Sequence, residues 1–491
     1  MACTQLSPCI SLPLKREILE DIIDKAKDWA LMHGACMRSK VNFSTASVQF
    51  APFGLLPSAF PRKEFNKARE IQIILNELIH KVAHDHEFLC SALKNTVEAD
   101  KFTGNLFKIY ETVHKEGITQ RHSKAFFTEL LASCFSTGAT VHIEPWLLLL
   151  FAASCLLKGI FGTLNGSLAS RGVTSVYVLQ ELGHGDKVKN VPINTALEGL
   201  CEGMLEAWKL YNDPKGVILF VVEDVTYNIC DQRFHEFEIK RQNPAVVVIR
   251  RTLTQIANTA KLSEKKELII DGLPVAVVYF RSGYVPSQYP SNNEWAARLI
   301  IERSLAIKCP SIQYHLAGTK KVQQVLATRN ILERFLTDPA KVEAVQDVFT
   351  GLYSLDLDED GSRAAEMAVM KPECFVLKPQ REGGGNNVYG EKVREVLQSM
   401  TNPKEQTAWI LMERIIPPVE KGYMIRPDGL EVPQMVDLVS ELGIFGVVIG
   451  NSSDVLVNRQ VGYILRTKQS NVDEGGVAAG SGALNSPYLI D

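Results

Sequence analysis

The densest chemical signal in the chain is Phe375-Val-Leu-Lys-Pro-Gln-Arg-Glu-Gly-Gly-Gly-Asn-Asn-Val-Tyr-Gly390, a strand-like run that ends in a lysine, a carboxylate and three glycines. A strand-end lysine offers a point charge for phosphate, and successive glycines let backbone N–H groups come close to an anion. The stretch is not a Walker A loop, because no Gly-Lys-Ser/Thr follows at the needed spacing, and residues 383–390 do not fit GxGxxG. A bare triple glycine reads as a hairpin tip; Lys378 and Glu382 beside it turn the reading toward phosphate. A second loop repeats the pattern, with Arg466-Thr-Lys468 ahead of Gly475-Gly-Val-Ala-Ala-Gly-Ser-Gly482. Two such loops suggest a polyphosphate held from both sides.

Tyr279-Phe-Arg281-Ser-Gly-Tyr284 follows a β-branched run, and sheets of this kind commonly place ligand contacts at the carboxyl ends of their strands. Arg281 has the fork geometry to hold a carboxylate in two hydrogen bonds. Taken alone it reads as a solvated surface arginine. His80, His84 and His86 include an i, i+4 pair of metal-ligand type, but with no acidic partner motif beside them a solvated helix face is the expected role.

These residues need elements to position them. Ile18, Leu19, Ile22, Ile23, Ala26, Trp29 and Ala30 recur at helical spacing, with His33-Gly34 as a stop, and residues 65–82 repeat the pattern. From Gly216 short β-branched runs at 217–222, 245–249, 268–270 and 275–280 alternate with helix-like segments, which predicts a small α/β unit with a buried, largely parallel sheet. Beyond residue 311 a helix is expected over 320–332, with strands at 374–377, 409–412, 436–438 and 444–449 and glycine-rich loops between them. The expected division is a helical part over 1–215, a small α/β unit over 216–317 and a C-terminal part over 318–491.

Composition narrows the function classes. With 491 residues, 46% of them hydrophobic and 22% charged, the chain can bury more than one core. Its net charge of -3, with both signs interspersed, points to neither nucleic acid nor membrane as main partner. Ten cysteines without a CxxC pair suit free thiols in a reducing compartment. The N-terminal residues lack a leader pattern, so the cytoplasm is the expected address. The apolar run at 146–157 is shorter than the roughly 18 to 20 residues of a membrane helix.

Taken together, NICDQR at 228–233, VVYFRSGY at 277–284, LAGTKKVQQ at 316–324, FVLKPQREGGGNN at 375–387, ILMER at 410–414, SELGIFG at 440–446 and LRTK with GGVAAG at 465–480 resemble the eukaryotic-type glutathione synthetases, a family of the ATP-grasp fold. The fold implied is α/β and α+β, an ATP-grasp body with an inserted small parallel α/β substrate-binding domain. The reaction implied is ATP-dependent ligation of glycine to γ-glutamylcysteine through an acyl phosphate, giving glutathione, ADP and phosphate, in a homodimer with Mg²⁺.

The resemblance also implies roles. Lys320, Lys378 and Arg466 would be catalytic. ATP would be surrounded by Glu144, Lys320, Lys378, Glu382, Gly383, Gly384, Gly385, Asn386, Asn387, Tyr389, Met412, Glu413, Arg414, Ile415, Glu441, Lys468 and Glu474, with both glycine-rich loops as lids. γ-Glutamylcysteine would meet Thr226, Tyr227, Asn228, Gln232, Arg281, Ser282, Gly283, Tyr284 and Arg466, with Val477 and Ala478 bordering the substrate end. Glu144 and Glu382 would ligate Mg²⁺.

One segment departs from the family, over about 121–167. The family carries a strand reading roughly Gln-Ile-Glu-Ile-Asn-Thr, whose Glu and Asn both ligate magnesium, followed by a Ser/Gly-rich turn. Here His142-Ile-Glu144 runs into Pro145-Trp146 and four leucines, so Trp stands where the Asn is expected. A one-base slip of reading frame would turn codons for Thr-Met-Ala-Ala-Ser-Ser-Phe into such a string. The alternatives to an active ligase are therefore a nucleotide-binding protein whose altered metal strand impairs catalysis, and an ATP-grasp ligase that takes another amine, such as β-alanine.

Overall fold

The computed structural model of the chain describes residues 5–117, 124–133 (backbone alone), 174–380, 386–477 and 480–491. Its centre is an eight-stranded sheet dominated by two 15-residue antiparallel strands, Val436–Gly450 and Val455–Gln469. Helix Arg62–His84 covers one face of this pair and helix Ala196–Tyr211 the other. Leu442, Ile444 and Val448 pack with Phe65, Ile71 and Leu75, whereas Phe445, Val447 and Ile449 pack with Leu197, Leu200 and Met204. Burial on both faces is why residues 444–449 read as an unbroken apolar run. The strand is longer than the two short pieces expected, because the polar Ser440 and Glu441 that seemed to break it pair in register with Thr467 and Arg466.

A second sheet of six strands lies within residues 217–309. Val217–Val221, Val248–Arg251, Leu273–Phe280 and Ile307–Cys309 run parallel, while Leu268–Ile270 and Lys261–Leu262 add an antiparallel edge. The same two apolar clusters that flank the large sheet continue onto this one: Phe220 and Tyr279 enter one, Leu219 and Phe280 the other.

The third sheet, of four antiparallel strands, combines Leu352–Ser354, Trp409–Glu413, Phe375–Pro379 and Val388–Tyr389. It has a core of its own, built from Leu377, Leu411, Phe375, Ala364, Val393 and Leu397 under helices Glu359–Met370 and Glu391–Ser399. The helix expected over 320–332 is only Lys320–Leu326. Thr328 and the left-handed Asn330 (φ 63°) end it, before a 3-10 turn at Leu332–Arg334.

The histidines do not form a solvated face. His80 is buried, with Nδ1 2.5 Å from Tyr314 Oη and Nε2 2.9 Å from the Asn451 carbonyl, and His86 stacks on His114 at 3.6 Å. His80 and His84 lie on helix Arg62–His84 and His86 begins the next helix, His86–Leu93, so the three do not share one helix face, which periodicity alone could not reveal. Among the described residues no helix is long and apolar enough to cross a membrane, and the described cysteines are all free.

Candidate functional site

The large sheet contributes a cluster of cations around one carboxylate. Its register sets Glu441 opposite Arg466 and Val439 opposite Lys468, so both cations fall on the face of Glu441, two residues apart. Arg466 Nη2 lies 3.2 Å and Lys468 Nζ 3.3 Å from the Glu441 carboxylate, and Lys468 also donates to the Asp473 carbonyl at 2.8 Å. The Arg466 Nε–H is buried and has no acceptor among the described residues. The loop after this strand folds back on itself. Ser481 and Gly482 both donate to the Gly476 carbonyl, and a Cβ at Gly482 would stand 2.2 Å from the Gly475 carbonyl oxygen, so only glycine permits the approach.

The four-stranded sheet faces that cluster with a second set. Lys378 is buried in its strand, opposite Ile410 in register, and Met412 is buried on the neighbouring strand. Glu413 accepts from Tyr353 Oη at 2.7 Å. Lys320 begins its helix and is buried as well; the next residue anchors that helix to the Lys378 strand, since Lys321 N–H donates to Gln380 Oε1 at 3.0 Å. Loop residues beside the two sheets meet: Asn387 N–H donates to Glu474 Oε1 at 3.2 Å, and Arg414 Nη2 lies 3.2 Å from Asp473 Oδ1. Tyr389, hydrogen-bonded to Asn387, has its phenol pushed up by burial and by Glu474. Asn386 is exposed and Ile415 half-buried.

The six-stranded sheet holds a third set. Arg281 is almost fully buried, in contrast to the solvated role its sequence suggested alone. Its Nη2 donates to Asp231 Oδ2 at 2.6 Å and its Nη1 to Tyr279 Oη at 3.1 Å, while its Nε–H has no acceptor among the described residues. Burial opposes its charge, but Tyr279 and Asp231 hold the guanidinium protonated. The same burial, with Arg281 nearby, lowers the His235 imidazole to about 3, so that ring stays neutral. Gln232 accepts from Arg250 Nη2 at 2.6 Å and lies 3.4 Å from Asn228, the residue that begins helix Ile229–Gln242. Thr226 and Ser282 are buried. Gln288 Oε1 receives the N–H groups of Gly283 and Tyr284 at 2.7 and 2.9 Å, and its amide donates to Glu223, whose carboxyl is raised chiefly by burial.

Asp231 and Gln288 were missed as site residues. Asp231 sits inside the NICDQR stretch but only its contact with Arg281, 50 positions away, gives it meaning; nothing in the sequence marks Gln288. Val477 is buried and belongs to the same apolar cluster as Tyr279. Glu144, Glu382, Gly383, Gly384, Gly385 and Ala478 lie outside the described residues, as does the atypical string at 145–150. Among the described residues no group of three or more His, Cys, Asp or Glu could hold a metal ion.

The family described as "Eukaryotic glutathione synthase, ATP binding domain" matches residues 16–129 and 160–489, leaving unmatched a stretch inside the atypical segment. The chain is 40% identical to glutathione synthetase of Xenopus laevis over 478 residues, covering 96% of this chain and 98% of that protein. It is 38% identical to the Homo sapiens glutathione synthetase over 483 residues, covering 98% and 99%, and 38% identical to the chloroplastic glutathione synthetase of Arabidopsis thaliana, covering 97% and 86%. Among solved structures, the fold is similar to that of a glutathione synthetase like-effector from Globodera pallida in its apo form, with a TM-score of 0.73, 23% identity and coverage of 97% and 98%.

Proposed function

The chain belongs to the eukaryotic glutathione synthase family and is an ATP-dependent ligase of glutathione synthesis, and we propose that Arg281 and Arg466 hold its γ-glutamylcysteine while Lys320, Lys378 and Lys468 stand along ATP. The observation that carries this reading is the pair of buried Nε–H groups, on these two arginines, without acceptors among the described residues. Leaving a buried donor unpaired costs about 1–3 kcal/mol, and a substrate carboxylate would supply both acceptor and countercharge. In the proposed reaction the substrate's terminal carboxylate attacks the γ-phosphorus of ATP and ADP departs. The amine of glycine then attacks the acyl carbon and phosphate leaves. Both steps crowd anions together, and the buried lysines lower that repulsion in a medium where charge is weakly screened. The glycine-rich loops, acting as lids, would keep water from the acyl phosphate.

Mg²⁺ suits the donors that the family resemblance implies, since it takes hard oxygen ligands and is usually held by one or two carboxylates together with phosphate. Glu382, which follows buried Lys378 by four positions, and Glu144 are the residues that would hold it; when bound, it neutralises phosphate charge. We propose further that residues 216–317 form a substrate-binding unit inserted in an ATP-grasp body, that the protein is a homodimer, and that it works in the cytoplasm, where its free thiols would persist.

Glycine is the proposed amine, because the sequence Val477-Ala478 matches the glycine-using pattern that the family resemblance implies. Coupled phosphate-release assays with glycine and with β-alanine test this choice. Faster turnover with glycine is expected; preference for β-alanine would reassign the amine.

A further inference from the structure

The sulfurs of Cys36 and Cys230 lie 3.1 Å apart, although the residues are separated by 194 positions. Cys36 is buried in the short strand Cys36–Met37, and Cys230 is the second residue of helix Ile229–Gln242 and partly open to solvent. Local structure holds the two segments together. Gly34, at φ +77°, turns the chain against that helix so closely that a Cβ there would stand 2.3 Å from the ring of Phe234. Beyond the strand, Arg38 N–H donates to the Tyr227 carbonyl at 2.8 Å, and Arg38 Nη1 reaches the Thr226 carbonyl at 3.4 Å.

We propose that Cys36 and Cys230 form a dithiol that glutathione disulfide, the oxidised form of this enzyme's product, converts reversibly into a protein disulfide among Thr226, Tyr227, Asn228 and Gln232. The two sulfurs need approach by only about 1 Å to reach the covalent distance. Cys230 is the attacking group. The hydrogen bond from Cys36 draws its thiol below the ordinary value, burial opposes this, and Arg38 assists, whereas Cys9 and Cys201 are pushed up by burial. The Cys230 thiolate attacks one sulfur of glutathione disulfide, forming a mixed disulfide and expelling one glutathione thiolate. Cys36 then gives up its proton and attacks the Cys230 sulfur, expelling the second. The protein dithiol loses two electrons and two protons, and one glutathione disulfide becomes two glutathione molecules.

The consequence for catalysis rests on the proposed role of residues 226–232 in holding γ-glutamylcysteine. Drawing Cys230 toward Cys36 shifts the start of the helix that carries Asn228 and Gln232, and misplacing substrate contacts by about 1 Å can cost up to about a hundredfold. The oxidised enzyme therefore has a raised KM for γ-glutamylcysteine and an unchanged KM for ATP.

The full-length protein is incubated with glutathione disulfide, digested with trypsin without reduction and analysed by mass spectrometry, with KM measured before and after dithiothreitol. The expected product joins peptide 28–38 to peptide 216–233, lighter than their sum by the two thiol hydrogens, and dithiothreitol restores the original KM. Cys36→Ser should retain the basal activity, stop at the glutathione adduct of Cys230 and give no cross-link; Cys230→Ala should give neither. Free thiols at both positions, or a stable adduct on Cys230 in the unmodified chain, would overturn the dithiol. A cross-link that forms in full without changing the KM for γ-glutamylcysteine would leave the dithiol standing and overturn the placement of substrate on residues 226–232.

Discussion

Arg281 and Asp231 make a pair in which each side chain cancels the other's cost of burial, with 1% and 0% of their side-chain surface exposed. Removing one charge leaves the other stranded, so Asp231→Asn is expected to lower unfolding stability by about 3–5 kcal/mol in urea titration. It should also raise the KM for γ-glutamylcysteine, because the guanidinium loses the partner that orients it. Lys378→Ala should behave in the opposite way, with turnover falling by about 10² to 10³ and melting temperature barely moving, because its charge would matter most as phosphoryl oxygens redistribute theirs. Unchanged turnover in that variant would remove Lys378 from the site. The sequence made Lys378 and Arg466 conspicuous through the glycines near them. It left Arg281 ambiguous and Asp231 silent, because an ion pair across 50 positions is created by the meeting of a strand and a helix.

At the scale of elements, the large sheet carries a carboxyl with an unusual burden. Glu420, on strand Val419–Gly422, is buried and accepts from Ala59 N–H at 3.0 Å; burial raises it to about 8 despite that bond. The folded protein thus binds this proton more tightly than the unfolded chain, whose carboxyl titrates near 4.5. The stabilisation is complete below about pH 4.5 and fades as pH rises toward about 8, amounting to a few kcal/mol. Urea midpoints should fall from about pH 5 to about pH 8 and level off above it, and Glu420→Gln should flatten the fall; an equal slope in both proteins would contradict the assignment. In the second glycine-rich loop, Gly482→Ala would force a Cβ against the Gly475 carbonyl and is expected to reduce turnover more than ATP affinity. Such elements were partly legible. The long helices and the parallel strands showed in their periodicity, whereas Val436–Gly450 read as two strands because two polar residues interrupt the apolar run: Glu441, on the face of Arg466 and Lys468, and Ser440, on the opposite face beside Thr467.

At the scale of the molecule, the four-stranded sheet has its own core, and its polar loop residues meet the large sheet through Asn387 with Glu474 and Arg414 with Asp473. That division could not be read from composition, since all three sheets draw on the same residue types. A homodimer should appear by light scattering at twice the 54.6 kDa of the chain. Replacing residues 141–168 with a Glu-x-Asn strand of the family type should raise turnover by orders of magnitude and change nucleotide affinity far less, because an indole offers no oxygen to Mg²⁺. The most direct test of the central claim is a stoichiometric assay of the unmodified chain with ATP, Mg²⁺, γ-glutamylcysteine and glycine. One glutathione and one phosphate should form for each ATP consumed, with no glutathione when either γ-glutamylcysteine or glycine is left out; binding of ATP with no glutathione formed would contradict it.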